Sequence, residues 1–320
     1  MQAAPYFDDL APGLQFASAP GLTLTSGLAA AHQAITGDRL ALSLDHALCR
    51  AVTGGEPLVS PALAWDVAIG QSTVVTQHVK ANLFYRGLAF RRLPRLGDTL
   101  RTTTEVAALR QNQPREGRAP TGLAALRVTT TDQDGEAVLD FWRCAMLPLR
   151  DEAAQTGHAD DLDAVGHDVT DLGDVVRGWR LADFRPAGPR PADLHAGESF
   201  EITGGDVVSS APELARLTLN IAAVHHDADA AGGQRLVYGG HVIGLALAQA
   251  ARALPSMVTV AGWHSCDHLA PVHEFDTLYS TITVEQVEYL PEGGGLVHLR
   301  SRARTASADV LDWRYVAVLA

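Results

Sequence analysis

Leu236-Val-Tyr-Gly-Gly-His-Val-Ile-Gly-Leu-Ala-Leu-Ala-Gln-Ala-Ala-Arg-Ala-Leu254 is a run of small and apolar residues with almost no polar face. A helix of that composition has to be buried nearly all round. Leu58-Val59-Ser60-Pro61 opens a second such run at an offset of 178, and supplies an N-cap serine and a first-turn proline for a helix from Ala62 to about Val75. Further matches follow in the same order. Gly13 and Phe16 pair with Gly197 and Phe200, Asp38 with Asn220, Asp98-Thr99-Leu100 with Asp276-Thr277-Leu278, and Val138-Leu139-Asp140 with Val310-Leu311-Asp312. The offset drifts from 184 to 172, always in one direction, as short loop deletions in the second copy would produce. The chain therefore reads as two homologous halves.

Each buried helix is followed by segments of strand character. Thr99 to Val106 and Thr277 to Val284 are rich in Thr and Val and alternate as half-buried strands do. Leu123 to Thr131, Ala137 to Leu147, Gly295 to Thr305 and Val310 to Leu319 continue the pattern between turn signals. One buried helix wrapped by an antiparallel sheet is an α+β arrangement similar to the hotdog fold, here present twice. The expected division is an N-terminal hotdog over residues 1–148, a linker over 149–193 and a C-terminal hotdog over 194–320. The linker is acidic, then rich in Pro and Gly around Arg185 to Pro191, and is expected to run irregularly over the surface. Ser210-Ala211-Pro212-Glu213 predicts a capping box for a short helix that stops near Asn220.

At 320 residues, 47% hydrophobic and 19% charged, the chain has the composition of a globular protein of about two domains. A formal net charge of −12 argues against nucleic acid and anionic membrane as partners, because both reward positive surface. Three widely spaced cysteines, Cys49, Cys144 and Cys266, suit a reducing compartment. The N-terminal stretch shows no basic and apolar leader pattern, and the second apolar run, with Gln249 and Arg252, is too short and polar to span a bilayer. A soluble, cytoplasmic protein is the expectation.

The chemistry concentrates in the second half. Asn220 and His225 stand five residues apart ahead of the buried helix, where an imidazole exchanging a proton and an amide fixing orientation could hold a water. The other reading is a surface loop with incidental histidines. The first-half counterpart, Asp38 to Ser43, has serine in place of histidine. Gly239-Gly240 at the helix start would let a ligand approach free N–H groups, as an oxyanion site requires, although plain helix packing would also use glycine there. His264, Cys266, Asp267, His268, His273 and Glu274 include zinc-ligand types, but strand alternation would split them between two faces. Arg86, Arg91, Arg92 and Arg95 form the densest basic stretch, suited either to coenzyme A phosphates or to a charged strand edge.

An acid or amide, four residues, then histidine, followed by a Val-Tyr-Gly turn into a buried helix, resembles the MaoC-like, hydratase-2 enoyl-CoA hydratases. Leu236-Val-Tyr-Gly-Gly-His241 and Gly97-Asp98-Thr99-Leu100 are most similar to the double-hotdog branch that includes mesaconyl-CoA hydratase. The family pattern is Gly-Asp-x-Asn-Pro-x-His. Thr36-Gly37-Asp38 keeps its acid without the histidine, and the second half keeps His225 with Asn220 in place of the acid. The resemblance implies a reversible (R)-specific hydro-lyase acting on an acyl-CoA. In it His225 would be the acid/base, Asn220 the water-orienting amide and the Gly239 N–H the carbonyl polariser. Beside what the resemblance implies, Tyr238, Gly240, His241, Arg86 and Arg91 are the candidate substrate-binding residues, with His241, inside the helix start, expected as a hydrogen-bonded core or pocket-lining histidine rather than a second base. Asp227, two residues beyond His225, would orient it or cap the loop. No metal or separate cofactor is implied, since coenzyme A comes with the substrate. The two halves would form an intrachain pseudo-dimer, which could assemble further as a homodimer. A non-catalytic acyl-thioester binding protein and, behind it, a hotdog thioesterase are the alternatives.

Overall fold

Two runs of elements in the same order make up the chain in this computed structural model, which describes residues 4–166, 169–185, 188–291 and 293–320. Residues 1–3 of the N-terminal stretch and positions 186 and 187 of the Pro/Gly-rich stretch lie outside them. The first run is β1 (Gln15–Phe16), β2 (Leu22–Thr23), α1 (Ser26–Thr36), α2 (Ala41–Leu44), α3 (His46–Thr53), α4 (Pro61–Gln71), β3 (Ala81–Phe90), β4 (Thr99–Gln111), β5 (Thr121–Thr131) and β6 (Ala137–Pro148). The second is β7 (Ser199–Glu201), β8 (Asp206–Val207), α5 (Ala211–Leu217), α6 (Gly239–Ala253), β9 (Met257–His268), β10 (Thr277–Tyr289), β11 (Gly295–Arg304) and β12 (Asp309–Leu319).

All the long strands join one antiparallel sheet in the order β1-β4-β5-β6-β3-β9-β12-β11-β10-β7. The halves meet at β3 and β9, where Tyr85 stands opposite Cys266 and Leu88 opposite Trp263. The two buried helices touch each other, α4 packing on β4 and β5 and α6 on β10, β11 and β12. Ser60 accepts from the Ala62 N–H at 3.2 Å and Pro61 takes the first turn, so α4 starts where the sequence places it. It ends at Gln71 and tightens into a 3-10 turn over Ser72–Val74, short of Val75.

Two glycines set how closely the halves approach. A Cβ on Gly70 of α4 would lie 1.8 Å from the Thr218 carbonyl oxygen, and one on Gly240 of α6 would lie 2.0 Å from Asp66 Oδ1. Aromatic rings fill the core near the seam. Trp65 of α4 meets Trp263 of β9 edge to face at 4.8 Å, Trp263 meets Trp313 at 5.6 Å, and Trp313 stacks on Tyr315 at 3.7 Å.

The structure corrects two local expectations. Ser210 does not cap α5: its φ of 59° is left-handed and its hydroxyl makes no cap bond. The Ala211 N–H donates to Glu274 Oε1 instead, and Glu213 pairs with Arg216. Segment 149–193 is not simply draped over the surface. Short 3-10 turns at Leu172–Val176 and Leu181–Asp183 bury Leu172, Leu181 and Phe184, and Leu172 lies against Gly262 on the face of the sheet away from Trp263.

The Thr218 carbonyl cannot move without carrying the loop that follows it. Gly70→Ala should therefore lower the stability to urea by about 2 kcal/mol or more, since overpacking against backbone has nowhere to relax. Gly204→Ala, where a Cβ meets open space, should leave the unfolding midpoint unchanged.

Candidate active site

The loop before α6 is fastened to the first half. The Ile221 N–H donates to Thr73 Oγ1 at 2.9 Å and the Ala223 N–H to the Gln77 carbonyl at 2.9 Å. Asn220 is buried, and its Oδ1 accepts from the Ala222 N–H at 3.0 Å, closing a turn. That turn delivers His225 at the end of a 3-10 segment, Ala223–His225.

His225 Nδ1 lies 3.0 Å from the Leu236 carbonyl oxygen. A carbonyl only accepts, so Nδ1 carries the hydrogen and Nε2 is left as the acceptor. Burial pulls the His225 pKa down to about 4 against the Leu236 carbonyl, with smaller pushes in the same direction from His226 and Arg143. The ring is thus a neutral base at pH 7.

Tyr238 precedes α6 in extended backbone and offers no side-chain cap, so the first N–H groups of the helix, beginning with Gly239, have no acceptor in the helix. The Tyr238 hydroxyl turns inward to Asp66 Oδ1 at 3.2 Å, and Asp66 Oδ2 meets His32 Nε2 at 2.9 Å. Its ring meets His225 edge to face at 5.8 Å. A cavity of about 530 Å³ opens between these groups, lined from the second half by Asn220, His225, Tyr238, Gly239 and His268, and from the first by residues 79–83, Tyr85 and Arg143.

Four residues expected to bind substrate do not line this cavity. Gly240 is buried against Asp66, where its missing side chain makes room for the carboxylate. His241 is fully buried with both ring nitrogens unpartnered. The Arg86 guanidinium bonds to the carbonyls of Leu162, Asp163 and Val165 in the linker, and Arg91 pairs with Asp140. Asp227 accepts from the Asp229 N–H at 2.9 Å, a loop-capping turn. The mixed histidine, cysteine and acid cluster is dispersed: His264 meets His298, His273 meets the Arg235 carbonyl, and Glu274 pairs with Arg235. Among the described residues no group of these side chains is placed to hold a metal ion.

Two cavity residues were not assigned to this site from the sequence, where His268 counted only among the zinc-ligand types. His268, at the end of β9, stands against Gly239, where an added Cβ would come within 2.5 Å of its Nε2. That nitrogen has no partner, and burial pulls the ring pKa down to about 4 with help from His225. Arg143 is the one charged residue in the apolar stretch Phe141-Trp-Arg-Cys-Ala-Met-Leu147, an available signal that strand patterning alone does not interpret.

The first-half counterpart of this site is closed. Pro61 stands where Gly239 does and has no N–H to offer. Phe90 replaces His268, and Ser43 replaces His225. Asp38 is buried, with Oδ1 accepting from the Leu40 N–H at 3.0 Å.

No protein-family model matches the chain. In sequence it is 29% identical to the β-methylmalyl-CoA dehydratase of Chloroflexus aurantiacus over 289 residues, 86% of this chain and 80% of that protein. It is 28% identical to the mesaconyl-CoA hydratase of Cereibacter sphaeroides over 307 residues, 93% and 88% of the two. In structure it superposes on a double-hotdog protein of Mycobacterium tuberculosis with a TM-score of 0.91, at 53% identity and 98% coverage of both chains. A putative MaoC domain dehydratase of Chloroflexus aurantiacus gives a TM-score of 0.89 at 25% identity, covering 99% of this chain and 97% of that one.

His225, His241 and His268 all have folded pKa values near 4, below the 6.5 of an unfolded histidine. Between those values the unfolded chain binds more protons, so the stability they leave intact above pH 6.5 is lost as pH falls toward 4. The urea midpoint should drop across that window. In His241→Phe the drop should be shallower by about one proton, as read from the slope against pH.

Proposed function

The chain belongs to the MaoC-like double-hotdog family, on its mesaconyl-CoA hydratase-like branch, and on that footing we propose that it is a reversible (R)-specific enoyl-CoA hydratase, a hydro-lyase acting on an acyl-CoA thioester. The observation that carries the reading is a neutral histidine, His225, with Nε2 free as an acceptor in a cavity that also reaches the N-terminus of α6.

In the hydration direction a water donates a proton to His225 Nε2 as its oxygen bonds to Cβ of the enoyl group. The C=C electrons move toward the thioester, and the oxygen charge that develops is met by the Gly239 N–H at the positive end of α6. The imidazolium then returns its proton to Cα, which closes the balance with one base. Asn220 cannot accept that proton. Its Oδ1 holds the loop turn, and its amide nitrogen is the group left to orient the water. His268 presents a second unprotonated ring to the same space.

Coenzyme A enters as part of the substrate and the reaction needs no other cofactor. The first half supplies cavity wall as the fused partner of an intrachain pseudo-dimer, whose assembly into a homodimer is a further expectation. No helix among the described residues is long and apolar enough to cross a membrane, and the chemistry suits a cytoplasmic protein. The thioesterase alternative calls for a helix carboxylate at the substrate. Asp66 of α4 is instead bonded to His32 and Tyr238 and does not line the cavity.

His225→Ala should lower hydration of the preferred enoyl-CoA by at least about 100-fold, read as loss of the conjugated absorbance, while circular dichroism and the urea midpoint stay native. Near-normal turnover in that variant would refute the assignment. Across a panel of enoyl-CoAs, free coenzyme A release would indicate the thioesterase, and tight binding without turnover the binding protein. The acid limb of kcat/KM should lie near pH 4 rather than 6.5, because His225 remains a base down to its own pKa.

A further inference from the structure

Arg143 is a buried cation with no anionic partner among the described residues. It sits on β6 in the half that lacks the catalytic histidine, is 3% exposed, and lines the cavity. Its two Nη groups donate to neutral hydroxyls, Ser72 Oγ at 2.8 Å and Thr76 Oγ1 at 2.6 Å. Its Nε has no acceptor. No carboxylate among the described residues pairs with it, whereas Arg91, Arg92, Arg252 and Arg300 are each held by an aspartate. An uncompensated buried charge is costly, and arginine cannot relieve the cost by losing its proton.

One account is structural. Ser72 is the residue that ends α4, and a cation there meets the negative end of the helix. The repeat weighs against that account as the whole explanation. Tyr85 faces Arg143 across β3 and β6, and Trp263 faces Tyr315 across β9 and β12, so Tyr315 occupies the equivalent place in the other half. The fold therefore accepts a neutral aromatic residue at this position, and the charge appears only beside the open cavity.

We propose that Arg143 is the specificity-determining residue of the site, selecting acyl groups that end in a carboxylate by supplying the missing half of a buried ion pair. Its planar fork, with Nε free and one hydrogen on each Nη uncommitted, is suited to a carboxylate. The thioester carbonyl would lie at the α6 N-terminus and the reacting carbons at His225. The acyl group would then span the seam, its chemistry read by one half and its charge by the other.

This inference rests on the hydratase reading, so the test separates the two. Succinyl-CoA and butyryl-CoA, which cannot be hydrated, are titrated into wild type, Arg143→Gln and Arg143→Lys by calorimetry. 2-Methylfumaryl-CoA and 2-methylcrotonyl-CoA, which differ by carboxylate against methyl, are assayed for hydration. Wild type should favour the carboxylate member of each pair. Arg143→Gln should lose about 100-fold in kcat/KM on 2-methylfumaryl-CoA, as truncation of one partner of a buried charge pair does, and change little on 2-methylcrotonyl-CoA. Arg143→Lys should recover part of the preference. Equal wild-type affinity for succinyl-CoA and butyryl-CoA would overturn the proposal without any variant. An equal fall on both substrates in Arg143→Gln would also overturn it in favour of the helix-capping account. A succinyl-CoA preference that depends on Arg143 without any hydration would uphold the arginine and refute the hydratase.

Discussion

Beside the β3–β9 pairing, one buried carboxylate links the two halves at the candidate site. Asp66 lies on the first half's helix with no exposure to solvent, and its oxygens are divided between His32 of the same half and Tyr238 of the other. Burial pushes its pKa up and His32 holds it back, so the group depends on its partners for its charge. Tyr238 is in turn fixed immediately ahead of α6, with its ring edge on His225. Glycine at position 240 is what admits the carboxylate at all. Position of base, position of helix terminus and contact between halves are therefore one arrangement. Tyr238 is the residue that touches both Asp66 and His225.

The same architecture is occupied in two different ways. On one side of the seam the equivalent positions hold Tyr85, Arg143, His268 and Gly239, and a cavity opens. On the other they hold Trp263, Tyr315, Phe90 and Pro61, and aromatic rings meet face and edge. Bulk and the absence of an N–H close the second site more thoroughly than the loss of one histidine would.

Much of this was legible in the chain. The helices around Pro61 and Gly239 follow from apolar composition and local turn chemistry, and the strands from Thr- and Val-rich alternation, because both signals are local. The ordered repeat made the double hotdog readable as well. What was not legible depends on register across the sheet. Arg86 and Arg143 are both strand arginines in sequence, yet one bonds to linker carbonyls and the other lines the cavity. His268 looked like one of a scattered cluster until β9 placed it against Gly239. Ser210 carried the right residues for a cap but adopted φ 59°, a backbone state that no spacing rule announces.

The continuous β3–β9 pairing has a bearing on how the two ends of the molecule came to differ. When identical subunits associate through a twofold axis, every substitution is made twice, once at each symmetry-related mouth. An arginine that suits one mouth is imposed on the other, and a tryptophan that seals one seals both. Joining the copies in one chain lifts that constraint. Arg143 and Tyr315, or Gly239 and Pro61, could diverge independently while the sheet that unites them kept its pairing. Covalent linkage here does more than hold partners together: it lets Arg143 stand beside an open cavity while its counterpart Tyr315 packs among aromatic rings.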